Sequence, residues 1–358
     1  MTPHGAGRPT AGTLPADRSS DHGHAARVVL GLMVPGVVLL AVGRPELMLY
    51  AVFGSFTGMY GRLEAPRSRL RHQFHGAGML VTGVALGVAF SEARVPAVVL
   101  VLGITTFAAV GSLLTDWLRL RPGGPFFGIF AFGATATISP GLVSPWGAVT
   151  LCAATAAWSI ALGLARLTTG GTGLLQEIPT VQWSRVRKTT LPAGTGVHAL
   201  RHALATAVAG LSGVMLGVDH ANWAMTAAAV PLAVVAIGEV LDLDAVVHRA
   251  VQRVTGTLVG LAVTALVLLP EPGPVVLASA VMVLLFPTEL FMSRHYGVAL
   301  GFFTPLIMIM TELAAPSEPA TMIVARGVDT VIGVAAGVAA AALIRGNQAV
   351  DQQGRSRR

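Results

Sequence analysis

His248-Arg249-Ala250-Val251-Gln252-Arg253-Val254-Thr255-Gly256-Thr257-Leu258-Val259-Gly260 puts two arginines one helical turn apart, directly before a long apolar run that opens on a GxxxG spacing. Basic residues at the mouth of an apolar helix belong at a cytoplasmic membrane surface, where lysine and arginine accumulate. An earlier copy exists: Arg71, His75 and Gly78 fall on Arg249, Arg253 and Gly256 at one constant offset. The stretch therefore predicts a membrane protein built from two similar halves.

Composition agrees. Of 358 residues, 53% are hydrophobic and only 11% charged, whereas soluble domains carry about 25% charged residues. The net charge of +7 is almost all arginine, with Lys188 the only lysine. These arginines flank apolar runs rather than filling a patch, which excludes nucleic acid as the expected partner. Cys152, the single cysteine, lies inside an apolar run, so no disulfide or thiolate metal site is expected. Residues 1–27 are rich in Gly, Pro, His and Ser and read as a disordered cytoplasmic tail. They lack the charge pattern and cleavage site of a signal peptide, so the first apolar run is expected to stay in the protein.

Apolar runs recur at 28–43, 47–61, 76–90, 95–114, 125–139 and 146–164, and again at 199–217, 221–241, 254–269, 275–290, 296–313 and 321–344. Crossing the hydrocarbon takes about 20 residues, so the shorter runs need flanking arginines that snorkel. The expected fold class is all-α, a polytopic membrane protein of about 12 transmembrane helices in two parallel six-helix repeats, or ten helices if two runs are re-entrant. The domain reading is a first transmembrane half at 28–167, a cytoplasmic linker at 168–197, a second half at 198–344 and a basic tail at 345–358. With the N-terminus inside, the outer loops keep only Arg44 and Arg94, which predicts cytoplasmic termini in the cell membrane.

The duplication extends further. Arg27, Gly36 and Gly43 map onto Arg201, Gly210 and Gly217, while Thr115-Asp116, Arg121, Gly124 and Gly128 map onto Thr288-Glu289, Arg294, Gly297 and Gly301. Two six-span halves of one topology imply a pseudo-twofold axis along the membrane normal.

Several blocks resemble the fusaric-acid-resistance-like (FUSC) integral membrane proteins: Arg201-His202-Ala203-Leu204 through Gly217, Asp219-His220 with Trp223, the stretch from Arg249 to Gly260, and Arg326-Gly327-Val328-Asp329-Thr330-Val331-Ile332-Gly333. In the first half, Gly54-Ser55-Phe56-Thr57-Gly58-Met59-Tyr60-Gly61 is similar to bacterial members. The likeness is clearest over roughly 198–340. It implies a cytoplasmic-membrane exporter of aromatic or other organic acids. Large members of the family carry a soluble domain between the membrane halves; here only the short linker stands there.

Candidate functional residues follow from where charge meets apolar sequence. Arg249 and Arg253 open a helix whose N-terminal N–H groups already favour anions; they could hold a substrate carboxylate or mark the membrane boundary by binding lipid phosphate. Arg326 and Asp329 lie one turn apart inside the last apolar run, where charge costs roughly 3 kcal/mol on insertion scales and usually pairs or faces a cavity. They read either as a self-neutralised pair or as part of a substrate site, a gate or a proton-sensitive switch. Asp116 and Glu289 hold equivalent positions at span ends, each able to pair with the following Arg119 or Arg294 or to couple protons. Glu312 is a further coupling candidate. Phe302 and Phe303 precede the mid-span Pro305, whose freed carbonyl is tolerated beside a cavity, and their rings suit an aromatic substrate.

His198, Arg201 and His202 share a helix face, but their spacing is not that of a metal site. No cofactor site is read. No Walker A pattern is present, so ATP hydrolysis is not expected, and no nucleophile–base set points to an enzyme. The expected function is secondary export of small aromatic or amphipathic organic acids, against an organic-anion channel or a non-transporting scaffold. The partners would be the lipid bilayer and a small organic anion, with homo-oligomerisation left open.

Overall fold

The computed structural model describes residues 18–62, 64–164, 191–217, 221–235 and 241–344. The Trp183 to Lys188 part of the linker, Asp219, His220 and the tail from Arg345 lie outside these residues.

Among the described residues the chain forms twelve α-helices: α1 (Arg18–Ala41), α2 (Met48–Ser55), α3 (Pro66–Glu92), α4 (Ala97–Leu118), α5 (Phe126–Ala136), α6 (Pro145–Leu164), α7 (Thr195–Met215), α8 (Ala221–Leu232), α9 (Leu243–Leu268), α10 (Pro274–Met292), α11 (Tyr296–Ala314) and α12 (Pro319–Leu343). Local sequence explains the boundaries. Pro66, Pro274 and Pro319 open their helices, where no N–H is needed. Asp242 caps α9 by accepting from the Ala245 N–H. The first helix begins at Arg18, inside the stretch expected to be a disordered tail through residue 27. The Gly and His content of that stretch masked the helix.

Eight helices are long and apolar enough to cross a bilayer: α1, α3, α4, α6, α9, α10, α11 and α12. The protein is an all-α polytopic membrane protein. The other four differ from the even series of spans expected from the sequence. α7 has the length, at 21 residues, but carries His198, Arg201 and His202. α2, α5 and α8 have only 8, 11 and 12 residues; at 1.5 Å per residue each covers about 12–18 Å, well short of a hydrocarbon core of about 30 Å.

Where the short helices sit explains why they are tolerated. All eight residues of α2 are buried, as are nine in α5 and eleven in α8. The apolar window of α11 is 78% buried, against 28–44% for the other seven long helices. Thus α2, α5, α8 and α11, the second and fifth helix of each half, form the centre, and the remaining eight surround them. Backbone that leaves helical geometry inside a membrane must be enclosed by protein, and here it is. The outer helices turn residues such as Val38, Leu102, Val208, Leu266 and Val283 outward, which water would penalise and lipid would not.

Packing repeats between the halves. The pairs α1–α2, α1–α6, α2–α6, α3–α5, α3–α6 and α4–α5 have counterparts α7–α8, α7–α12, α8–α12, α9–α11, α9–α12 and α10–α11. Between the halves, α4 packs on α7 as α10 packs on α1, and α5 on α8 as α11 on α2. Glycines permit the closest approaches. A Cβ at Gly260 would stand 2.6 Å from Thr304 Cβ, and one at Gly83 would stand 2.7 Å from the Gly128 carbonyl. In each half, then, a glycine on the third helix seats the fifth.

Candidate functional site

The end of the bundle that gathers Arg62, Arg121, Arg249 and Arg253 encloses a cavity of about 320 Å³ between the two halves. Its rim is exposed at Arg121, Pro122 and Gly123, and its depth is lined by buried Phe127, Leu300 and Phe303. Four arginines face two glutamates, Glu64 and Glu289, so the wall is net basic over an aromatic floor.

The arginines differ in what they already hold. Arg62 donates through Nη1 to the Glu289 carbonyl and through Nη2 to Asp21 Oδ1, at 3.0 and 2.9 Å. Arg249 lies 4.0 Å over the Tyr296 ring, a cation–π contact that leaves its N–H edge available. Arg253 is 1% exposed and sits 5.7 Å from the Phe126 centroid, while its Nε and Nη2 have no hydrogen-bond partner among the described residues. A buried guanidinium with unused donors is costly. It fits an anion that supplies oxygen acceptors, and its planar fork suits a carboxylate.

The cavity stops at an aromatic cluster. Phe56 packs against Phe127 and Phe303 at 5.4 and 5.9 Å, and Phe53 packs against Phe130 at 5.0 Å. These rings come from α2, α5 and α11 and the turn after α2, so the central helices close the path beyond the cavity floor.

Of the residues singled out by sequence, Arg249, Arg253, Glu289 and Phe303 line this cavity together. Phe302 does not; it stacks on Phe291 at 6.0 Å. Glu312 lies elsewhere, accepting from the Ser317 N–H at 3.2 Å. Arg326 and Asp329 are buried in α12 outside the cavity, with Arg326 5.1 Å from the Trp223 ring. Neither Asp329 oxygen has a hydrogen-bond partner among the described residues, so Arg326 and Asp329 interact through space without a direct hydrogen bond.

Asp116 and Glu289 take partners other than the neighbouring arginines. Asp116 Oδ2 lies 2.9 Å from His198 Nδ1, and Glu289 Oε2 lies 3.3 Å from His24 Nε2. Arg294, past the end of α10, reaches back to Asp21 instead. All four members of the two histidine pairs are buried, and each pair joins one half to the other. His24 was missed because it fell inside the segment read as a tail. The offset that places Arg27 on Arg201 also places His24 on His198, so the signal was present.

Residues 204–340 match the family described as fusaric acid resistance protein-like. That match lies in the second half of the chain. The chain is also 25% identical over 143 residues to the uncharacterized membrane protein YvaC of Bacillus subtilis, covering 40% of this chain and 22% of that protein. The chain thus spans less than a quarter of the length of the curated relative it matches. No solved structure matches. The matched segment contributes Arg249, Arg253, Glu289 and Phe303 to the cavity; His24, Arg62, Arg121 and Phe127 come from outside it.

Proposed function

We propose that this protein is a secondary transporter exporting small aromatic or amphipathic organic anions across the cytoplasmic membrane. The observation that carries the reading is Arg253: a buried guanidinium with two unused donor atoms, set beside aromatic rings in a basic cavity between two similar halves. An anion held there would be desolvated against Phe127 and Phe303 while its charge met Arg253 and Arg249. The arginine-rich end faces the cytoplasm, following the positive-inside bias, so the cavity is the inward-facing site. The repeated helix packing supports two halves related by a pseudo-twofold axis along the membrane normal, the geometry in which one half can rock against the other around a central site. The aromatic closure beyond the cavity supports a carrier rather than an open pore.

The test is flux of radiolabelled benzoate from proteoliposomes, with and without a pH gradient. Wild type is expected to move benzoate, and Arg253→Ala to lose at least about tenfold of that flux, the scale of one charge-assisted hydrogen bond. Correctly inserted Arg253→Ala that transports at the wild-type rate would overturn the assignment of the cavity.

A further inference from the structure

We propose that His24 and Glu289 form a proton site in the cavity wall, and that an anion binding at Arg253 takes up a proton there. The inference rests on the anion-transport reading and adds a pH dependence to binding at its inward-facing site.

Two equivalent histidine–carboxylate pairs join the halves, yet their surroundings differ. His198 is held on all sides: Nδ1 meets Asp116 at 2.9 Å and Nε2 meets the Leu232 carbonyl at 3.3 Å. That pair is not part of the cavity wall. His24 and Glu289 both line the cavity. Their 3.3 Å contact is not an aligned hydrogen bond, and Glu289 Oε1 has no hydrogen-bond partner among the described residues. One pair is sealed into packing; the other keeps unused capacity where a ligand would sit.

The neighbouring charges are fixed by geometry. On its own helix His24 faces Arg27, whose Nη2 lies 3.5 Å from Nδ1, and Asp21 lies one turn before it. Asp21 pairs with Arg62 and Arg294. Arg69 stands behind Arg27, and α6 and α2 bring only Cys152 and Tyr50 as titratable groups. Across the cavity stand Glu64, Arg121, Arg249, Arg253 and Tyr296. The guanidiniums stay charged throughout the physiological range, so on this wall the histidine–carboxylate contact is the place where a proton can be held between two side chains. With the proton bound the pair is net neutral; without it, Glu289 leaves one negative charge on the wall of the anion cavity. Anion and proton therefore bind cooperatively, and by linkage each strengthens the other by the same factor.

Benzenesulfonate tests this cleanly, because a sulfonate stays ionised throughout and any pH dependence belongs to the protein. Binding of the radiolabelled probe would be measured on the full chain in nanodiscs between about pH 5 and 8, the range in which an unperturbed histidine changes charge. Wild-type affinity is expected to fall between about threefold and thirtyfold as pH rises, the span set by one charge at cavity distances. Glu289→Gln is expected to bind tightly with a flat profile, and His24→Gln weakly with a flat profile. His198→Gln should keep the wild-type transition. A purely structural pair would instead weaken binding in both cavity variants at every pH, and that result would overturn the proposal. So would a wild-type transition surviving in both. Sulfonate binding with an unaltered profile sinks the linkage alone, whereas no binding at any pH removes the anion reading and the linkage with it.

Discussion

His24 of α1 stands to Glu289 of α10 as His198 of α7 stands to Asp116 of α4: each is a buried histidine–carboxylate contact that ties one half of the protein to the other, at 3.3 and 2.9 Å. The two contacts join helices that pack alike in the two halves, but only the second is saturated with partners. Similar halves have thus been given unequal joints, one at the cavity and one behind it.

The inequality should register in stability. Asp116→Ala strips a hydrogen bond from a buried histidine and is expected to cost about 1.5–3 kcal/mol, the range for bonds to charged groups. Glu289→Ala removes a looser contact beside a cavity that water can enter, and should cost less. Unfolding midpoints of the two variants in one detergent check the order. A larger loss at Glu289 would contradict the sealed-versus-open distinction.

Close helix approach gives a second expectation. A Cβ at Gly256 would collide with the Gly297 carbonyl and stand 2.7 Å from Leu300 Cβ, whereas one at Gly301 would meet only Val259 Cγ1, at an ordinary 3.7 Å. Backbone cannot step aside as a side-chain tip can. Gly256→Ala should therefore destabilise by about 1–3 kcal/mol through overpacking, while Gly301→Ala should stay within about 0.5 kcal/mol. Thermal unfolding followed by fluorescence-detected size exclusion separates them, and equal shifts would argue against the α9–α11 seam described.

Much of this architecture could be read before any coordinates, because apolar runs, arginine placement and repeat offsets are linear features. The cavity residues Arg249, Arg253, Glu289 and Phe303 were accessible in the same way: each combines charge or aromaticity with a span end or a helix break. What the sequence could not supply was depth and partnership. The runs containing α2, α5 and α8 are as apolar as true spans, since a helix enclosed by protein and one facing lipid bury the same residue types. Only three-dimensional neighbours distinguish them. Likewise, Asp116 lies close in sequence to Arg119, yet helix geometry turns its carboxylate toward His198 on α7. Arg326 and Asp329 show the converse, a spacing that brings opposite charges near one another without a direct hydrogen bond.

The proposed orientation can be tested by accessibility. Cys152 is fully buried, so the native chain should resist a membrane-impermeant maleimide without further engineering. Ala65→Cys and Ser293→Cys, exposed at the arginine-rich end, are expected to label only from the cytoplasmic side. Ala93→Cys and Pro316→Cys, exposed at the other end, should label only from outside. Labelling in intact cells against inverted vesicles decides it, and the reverse pattern would turn the cavity outward.

The aromatic closure carries the remaining expectation. Phe53, Phe56, Phe130 and Phe303 are each 0–1% exposed and meet at centroid separations between 5.0 and 6.3 Å. They separate the cavity floor from the opposite end of the bundle. If the halves alternate around the cavity, this cluster is the barrier that must part while the arginine-rich end closes. Shaving it should thin the barrier without removing the binding charge. Full truncation to alanine would cost about 3–5 kcal/mol of core packing, which would confuse leakage with unfolding. Phe130→Leu keeps most of the volume and is the better probe. It should raise passive benzenesulfonate efflux from proteoliposomes several-fold, while Arg253-dependent binding stays near wild type. Unchanged efflux in a folded Phe130→Leu protein would mean the rings serve packing alone and the barrier lies elsewhere.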